Sequence, residues 1–150
     1  MKFEQKAQIP ASREKVWAFL MDVPQVAGCV PGVDGVENLG DDQYRGALKI
    51  RVGPIGLTLK GDIAITQKDE SAGTATMRAD AADKRVGGSV RALLDMKLNE
   101  TSPGNTELHI VTDAQLMGKI GEFGQPIIRK KADQIMQEFA KNVQRVLTDR

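Results

Sequence analysis

The side chains that most often perform catalysis or bind metals are few in this sequence. It contains one cysteine, Cys29, and one histidine, His109. Alternation places His109 on the polar side of a strand, so we expect a surface residue, and we expect Cys29 to be a packed structural thiol. Neither residue has a partner that would make a nucleophile and base pair, and together they cannot supply a structural zinc site. We therefore predict no catalytic residue, no metal and no cofactor.

Three glycines, Gly118, Gly121 and Gly124, are of the type that lets backbone amides approach a phosphate. Their G-x-x-G-x-x-G spacing follows a predicted strand of a meander and lacks the strand, helix and strand unit of a phosphate-binding loop. We predict instead that Gly118, Gly121, Phe123 and Gly124 form the gate of a pocket, because glycines permit the backbone change that opening needs. A plain connection is the alternative. We do not expect a stable helix from Gly118 to Gly124, and we expect Ile120 and Phe123 to be exposed.

The balance of charge argues against a polyanionic partner. The chain has 21 Lys and Arg residues against 20 Asp and Glu residues, a net charge of +1. Its longest basic run is Arg129-Lys130-Lys131, so we predict no binding to nucleic acid. We expect this run to be a solvated face, with contact to anionic lipid headgroups or to an acidic partner as the alternative.

Length and composition predict one domain over residues 1–150. At 150 residues, 41% of them hydrophobic, the chain can bury roughly 70% of the surface that its unfolded form exposes. The N-terminus lacks the apolar stretch of a signal peptide, and nowhere do 18 consecutive apolar residues occur. We expect a cytoplasmic protein without a spanning helix.

The first quarter of the chain predicts a strand followed by two short helices. Residues 2–9 alternate between apolar and polar types, which is typical of a half-buried strand. Ser12 is a plausible N-cap for a helix that Pro24 then limits. Between Pro24 and Gly35 we expect a second helical turn or two and then a tight loop.

From Tyr44 to Leu116 the apolar period is two through five segments separated by turn-forming residues. This alternation predicts an antiparallel meander, because a parallel sheet covered on both faces would read as continuous apolar runs. The opposite face carries most of the charges. The predicted dry face comprises Tyr44, Gly46, Leu48, Ile50, Val52, Leu57, Leu59, Gly61, Ile63, Ile65, Ala75, Met77, Ala79, Ala81, Val90, Ala92, Leu94, Met96, Leu98, Leu108, Ile110, Thr112, Ala114 and Leu116.

A long C-terminal helix follows, beginning near Pro126, which suits a first helical turn. Its apolar residues recur every three or four positions and form one stripe: Ile128, Ala132, Ile135, Phe139, Val143 and Val146. The dry face of the sheet is the large surface available to cover this stripe.

The dry face contains an unusual share of glycine and alanine. A curved sheet that holds a long helix and is lined by small residues would leave an apolar cavity, and natural interiors leave few such voids without a ligand. The alternative is that curvature alone requires the small residues. Only Tyr44 and Thr112 place hydroxyls on this face, enough to orient a ligand carbonyl but not to perform acid–base catalysis without a partner.

Several short motifs resemble the CoxG family, a family of carbon monoxide dehydrogenase subunits within the START-like, or SRPBCC, superfamily. They occur in order over essentially the whole chain: Cys29-Val30-Pro31-Gly32-Val33, Tyr44-Arg45-Gly46, Val52-Gly53-Pro54-Ile55, Gly61-Asp62-Ile63, Gly118-Lys119-Ile120 and Phe123-Gly124. The resemblance implies the α+β helix-grip fold, with a curved antiparallel sheet wrapped around the C-terminal helix and a deep hydrophobic pocket between them. It also implies an accessory role beside a molybdenum hydroxylase such as carbon monoxide dehydrogenase, in membrane recruitment or in handling a lipophilic electron acceptor such as a quinone.

One departure from the family concerns the C-terminus. Many members carry a C-terminal extension proposed to reach the membrane, whereas this sequence ends at Arg150. We therefore expect no membrane anchoring by this chain alone, only transient surface contact through the segment from Gly118 to Gly124.

Our leading hypothesis is a non-enzymatic carrier of a lipophilic small molecule that serves a molybdenum hydroxylase, in the cytoplasm or peripherally at the inner face of the membrane. The first alternative is a small enzyme such as a cyclase or hydrolase, which would need a charged or imidazole group in the cavity. The second is a protein-binding assembly or recruitment factor with a filled core. The predicted pocket comprises Leu48, Ile50, Leu59, Ile63, Met77, Ala79, Ala92, Leu94, Ile110 and Thr112, closed by Ile128, Ile135 and Phe139.

Overall fold

The computed structural model describes residues 1–148, and a single antiparallel sheet of seven strands dominates them. The elements in chain order are β1 (Lys2–Ile9), α1 (Arg13–Leu20), α2 (Val23–Ala27), β2 (Val33–Gly40), β3 (Gln43–Val52), β4 (Ile55–Asp69), β5 (Thr74–Asp83), β6 (Gly88–Ser102), β7 (Asn105–Gly118), a 3₁₀ helix (Lys119–Phe123) and α3 (Gln125–Thr148). The predicted α+β class, with two short helices after the first strand and a long last helix, is confirmed.

The sheet is a meander closed at one side by the first strand. Its order is β1-β7-β6-β5-β4-β3-β2, and every neighbouring pair is antiparallel. The turns between β3 and β4, β4 and β5, β5 and β6, and β6 and β7 lie where turn-forming residues predicted them, within about two residues. The meander is therefore confirmed from Tyr44 onward.

The prediction missed β2: its first three residues were expected to lie in a loop, and no element was predicted for the rest of the strand. Its register with β3 shifts between Val33 and Val36 and again between Asn38 and Gly40. These irregularities interrupt the period of two, and most of this edge strand is exposed, so its apolar residues do not alternate. A strand with this irregular pattern carries little signal in its own sequence.

The two faces of the sheet are divided as predicted. Directly opposed residues share a face, and in the register Leu48 opposes Leu59 and Leu94 opposes Thr112. On the other face the charged residues pair across strands, with Arg45 Nε 2.8 Å from Asp62 Oδ1. The alternation thus assigned a dry face and a wet face correctly.

Capping residues set the ends of the two short helices. Ser12 is the N-cap of α1 and its hydroxyl accepts a hydrogen bond from the Lys15 amide at 3.3 Å. Asp22 caps α2 in the same way. The helices bury Val16, Trp17 and Phe19 against the end of the sheet, where they form part of the core.

Helix α3 turns its apolar stripe toward the sheet. Phe139 and Val143 of the predicted stripe are buried, as are Met136 and Ala140 beside them, while the remaining stripe residues are half-buried. No helix within residues 1–148 is long and apolar enough to cross a bilayer. The end of the sequence at Asp149 and Arg150, on which the expectation about anchoring rests, lies outside the described residues.

Candidate ligand-binding site

The sheet wraps around α3 without resting on it evenly. Cα atoms of α3 come within 8 Å of those in β1 and in β3. Five strand spacings separate β1 from β3, about 24 Å in a flat sheet with strands about 4.8 Å apart. Approaches of α3 to the four strands between them are isolated or absent among the described residues. Helix α3 therefore approaches the backbone of the sheet most closely at β1 and β3. It meets the strands between them through side chains, with Phe139 in one cluster with Leu98 and Leu108.

The buried side chains form three separate clusters. The largest joins α1, β1 and one end of β5, β6 and β7 to the C-terminal half of α3, around Trp17 and Phe139. A second surrounds Ile120, where the hairpin of β3 and β4 meets the 3₁₀ helix. A third lies around Phe3 and Ala92. A domain of this size usually has one contiguous core, so the three clusters indicate a gap between them.

A set of inward-facing side chains lies between these clusters and belongs to none of them. We call the space that they border the hollow. All are half-buried, although the sheet register or the helical stripe turns them inward. The hollow is defined by Ile63, Ile65, Met77, Ala79, Thr112 and Ile135.

Two of the small residues on the dry face are explained by the curvature of the sheet. A Cβ atom added to Gly46 would lie 2.8 Å from the carbonyl oxygen of Gly35, and one added to Gly61 would collide with the backbone of Asp80. These glycines let neighbouring strands approach closely. Ala79, by contrast, is half-buried and adjoins the hollow.

The predicted pocket residues are placed as follows. Leu59, Ala92 and Phe139 are buried, each in a different cluster. Five of the others are half-buried and belong to none of the clusters: Ile63, Met77, Ala79, Thr112 and Ile135. The remaining residues are half-buried at its margins, where they pack against the clusters: Leu48, Ile50, Leu94, Ile110 and Ile128. Binding of a ligand by these residues stays a prediction.

The predicted gate differs from expectation. Residues 119–123 form a 3₁₀ helix, and Ile120 is only 2% exposed. The expectation that Ile120 and Phe123 are exposed was wrong: Phe123 is half-buried and packs against the same cluster. The physical reason is Gly88, which leaves a slot that Ile120 fills, since a Cβ there would lie 2.5 Å from Ile120 Cγ1.

The glycines at the ends of this segment have a structural role. Gly118 and Gly124 adopt φ angles of 68° and 85°, which side chains disfavour. A Cβ on Gly121 would also lie 2.8 Å from the carbonyl oxygen of Leu116. The segment is therefore seated closely on the sheet at the end of the hollow, and its role as a gate stays a prediction.

One buried acid was missed by the sequence analysis. Asp83 ends β5 on the dry side, two residues beyond Ala81, so continuing the alternation by one step would have found it. Its carboxylate accepts hydrogen bonds from the backbone amides of Thr58, Arg85 and Val86 at 2.8, 3.0 and 3.2 Å. These contacts, that from Thr58 above all, lower the pKa of Asp83. An ionised carboxylate held in this way shapes a turn and is a poor general base.

The remaining chemically distinctive residues lie away from the hollow. His109 Nε2 lies 2.9 Å from Glu4 Oε1 on the outer face, as alternation predicted. Cys29 is buried in the largest cluster, and desolvation raises the pKa of its thiol. Among residues 1–148, no group of three or more His, Cys, Asp or Glu side chains is placed to hold a metal.

The basic run at the start of α3 is not uniformly solvated. The Arg129 guanidinium lies over the ring of Phe3, 5.9 Å from its centroid, a distance at which cation–π attraction operates. Lys131 is half-buried, whereas Lys130 is exposed. Arg129 thus helps to hold the start of α3 against β1.

The sequence and fold match known proteins over nearly the whole chain. The family model for CoxG, a carbon monoxide dehydrogenase subunit, matches residues 6–148. No curated protein matches the sequence.

Solved structures share the fold at low sequence identity. A conserved protein from Geobacillus kaustophilus is 21% identical, with a TM-score of 0.90 over 99% of this chain and 96% of that chain. A START superfamily protein from Mycobacterium smegmatis is 11% identical, with a TM-score of 0.70 over 99% and 97% of the two chains. The Zhui aromatase/cyclase from Streptomyces sp. R1128 is 16% identical, with a TM-score of 0.61 over 97% and 89%. The fold is therefore the START-like helix-grip fold.

Proposed function

We propose that this chain, which belongs to the CoxG family of carbon monoxide dehydrogenase subunits, binds and carries a lipophilic small molecule in the hollow. The observation that carries the proposal is the accessibility of Ile63, Met77 and Ile135, which face inward yet are only half-buried. Covering apolar surface of this kind is favourable by about 25 cal/mol per Å². An apolar ligand bound in the hollow would cover the inward-facing side chains that lie outside the three clusters.

The lining favours carriage over chemistry. The side chains that define the hollow are aliphatic or sulphur-containing apart from the hydroxyl of Thr112. Carriage requires only a matching surface and a route of exit, whereas catalysis would require a titratable group beside the ligand. The buried carboxylate of Asp83 is already engaged by three backbone amides. The protein is proposed to act as a carrier and not as an enzyme.

Membership of the family supports a more specific proposal about the partner. A chain of the CoxG family is expected to serve a molybdenum hydroxylase of the carbon monoxide dehydrogenase type. A carrier beside such an enzyme would hold a lipophilic electron acceptor, for which a quinone is the natural candidate. Handover would need a complex in which the hollow opens toward the enzyme.

Transient contact of this chain with the inner face of a membrane fits the carrier role, because a lipophilic ligand partitions into the membrane. Ile127 and Met117 are exposed near the 3₁₀ helix, and Lys119 and Lys130 flank them in the sequence. Exposed apolar residues beside lysines are typical of surfaces that touch anionic headgroups weakly. This end of the molecule is the proposed site of uptake.

The proposal is tested by extracting the purified protein with organic solvent and analysing the extract by mass spectrometry. We expect a co-purifying lipophile, and after its removal saturable binding of the fluorescent probe N-phenyl-1-naphthylamine. Absence of both a lipophile and saturable probe binding would overturn the carrier proposal and favour a protein-binding factor. Formation of a new product from the extracted compound on incubation would favour an enzyme.

A further inference from the structure

Tyr44 occupies an unusual position at the side of the hollow. It lies on β3 directly opposite Ile63, and the same line across the sheet continues to Ala79. The side chain faces inward and is only 8% exposed. Nevertheless, Tyr44 is part of none of the three clusters of buried residues. Its ring is therefore buried at the side of the hollow, outside the three clusters.

The hydroxyl of Tyr44 has no hydrogen-bonding partner within residues 1–148. Every fully enclosed side-chain nitrogen or oxygen in this part of the chain does have a partner. It follows that Tyr44 Oη is not fully enclosed and borders space that a water molecule can reach. A polar atom in apolar surroundings is stabilised only when something hydrogen-bonds to it.

The other inward hydroxyls differ from that of Tyr44. Thr106 is buried, but its hydroxyl donates to the carbonyl oxygen of Ala11 at 2.7 Å and is not free for a ligand. Thr112 has no partner among the described residues, yet it is half-buried, so water competes more freely for its hydroxyl. A hydrogen bond gains strength where water is largely excluded. Tyr44 is therefore the better placed of the two free hydroxyls.

We propose that Tyr44 is the polar anchor of the hollow, and that the site selects lipophilic ligands that carry a hydrogen-bond-accepting oxygen, such as the carbonyl of an aryl ketone. This inference rests on the proposed carrier function. The phenol O–H donates to the ligand oxygen while the aliphatic lining covers the hydrocarbon part. A pure hydrocarbon of the same shape leaves the hydroxyl without a partner, so it binds more weakly.

The experiment compares two probes of matched shape, 2-acetylnaphthalene and 2-isopropenylnaphthalene, in the full chain and in the Tyr44→Phe variant. We expect Tyr44→Phe to weaken binding of 2-acetylnaphthalene about fivefold to tenfold and to leave binding of 2-isopropenylnaphthalene unchanged. Thr112→Val removes the other free hydroxyl and tests it as the competing anchor, and we expect it to change the affinities for the two probes by the same factor. The melting temperature of Tyr44→Phe without a probe should stay that of the parent, because the hydroxyl bonds no protein group.

Each other outcome overturns the assignment in its own way. Equal weakening of both probes by Tyr44→Phe would show that the ring packs but the hydroxyl does not bond. Unchanged affinity for both probes would show that the hydroxyl faces bulk solvent. If Thr112→Val alone selectively weakened binding of 2-acetylnaphthalene, the anchor would be Thr112 on β7 and not Tyr44. Failure of the parent protein to bind either probe would instead overturn the carrier function itself.

Discussion

Ala79 on β5 and Ala92 on β6 lie directly opposite each other, yet they have different surroundings. Ala92 is 7% exposed and packs in the cluster with Phe3 and Ala114, whereas Ala79 is half-buried beside the hollow. Both residues were predicted to line the pocket. The boundary between filled core and open space therefore passes between two adjacent strands.

This boundary predicts opposite results for the same substitution. Ala79→Phe should place its ring in the hollow, leave the urea midpoint roughly unchanged and abolish probe binding. Ala92→Phe should overpack the cluster around Phe3 and cost about 1–3 kcal/mol of unfolding free energy. Urea denaturation and probe titration of both variants measure these effects. Equal destabilisation by the two variants, with no probe bound by the parent, would indicate a filled core.

The gate hypothesis predicts that Ile120→Val speeds ligand exchange. Removing one methylene from the slot over Gly88 should cost about 0.5–1.5 kcal/mol. It should raise the rates of probe uptake and release together by about twofold to tenfold, with an unchanged Kd. Ile9→Val in the largest cluster is the matched control, because it removes the same methylene from a core residue that does not share a cluster with the segment. Stopped-flow fluorescence measures the rates, and equal rates in both variants and the parent would make the segment a plain connection.

The buried carboxylate predicts a dependence of stability on pH. Because the folded-state pKa of Asp83 is lowered, its contribution is present above the unfolded pKa of about 3.9. It is lost as the pH falls through the folded pKa. Asp83→Asn should therefore lower the urea midpoint at pH 7 and differ progressively less from the parent below about pH 4.

Asp62→Asn is the matched control for Asp83→Asn. The Arg45 hydrogen bond also lowers the pKa of Asp62, but both side chains are more than half exposed, and solvent screens such pairs. The urea midpoint should therefore change less in Asp62→Asn than in Asp83→Asn at pH 7. If Asp83→Asn lowers the urea midpoint by the same amount at pH 3 and at pH 7, the effect comes from packing and not from the charge of Asp83.

Contact with membranes should be weak and sensitive to salt. Lysines near an anionic surface contribute about 1 kcal/mol each, and this attraction is screened over about 8 Å at physiological ionic strength. We expect binding to phosphatidylglycerol vesicles at low salt and little at physiological salt, measured by co-sedimentation. Lys119→Glu combined with Lys130→Glu should abolish the low-salt binding, whereas Lys97→Glu on the outer face should not. Strong binding that resists salt would contradict a weak surface contact made through these lysines.

Much of the fold was predictable because its signals are local. A period of two along β3 to β7 determines which residues share a face, since successive side chains of a strand point to opposite sides. The spacing of Ile128, Ile135 and Phe139 likewise determines which side of α3 turns inward. The turns between strands are also predicted by a few consecutive turn-forming residues. Each of these features depends on neighbours in the sequence alone.

The failures come from contacts between distant segments. β2 was missed because register shifts on an edge strand remove the alternation. Ile120 was expected to be exposed, but Gly88 on β6 provides the slot that buries it. Neither segment contains the information by itself, because the partner that decides its conformation lies elsewhere in the chain.

The sequence by itself determined which side chains face inward, and only the tertiary structure decided which of them are covered. Ala79 and Ala92 both alternate inward, but Phe3 from the first strand covers the second and not the first. Tyr44 was recognised as an inward hydroxyl, while its lack of a partner emerged only from the assembled sheet and helix. Alternation is a property of one strand, whereas coverage depends on how far a curved sheet stands from the helix it grips. That distance depends on contacts made along the whole chain.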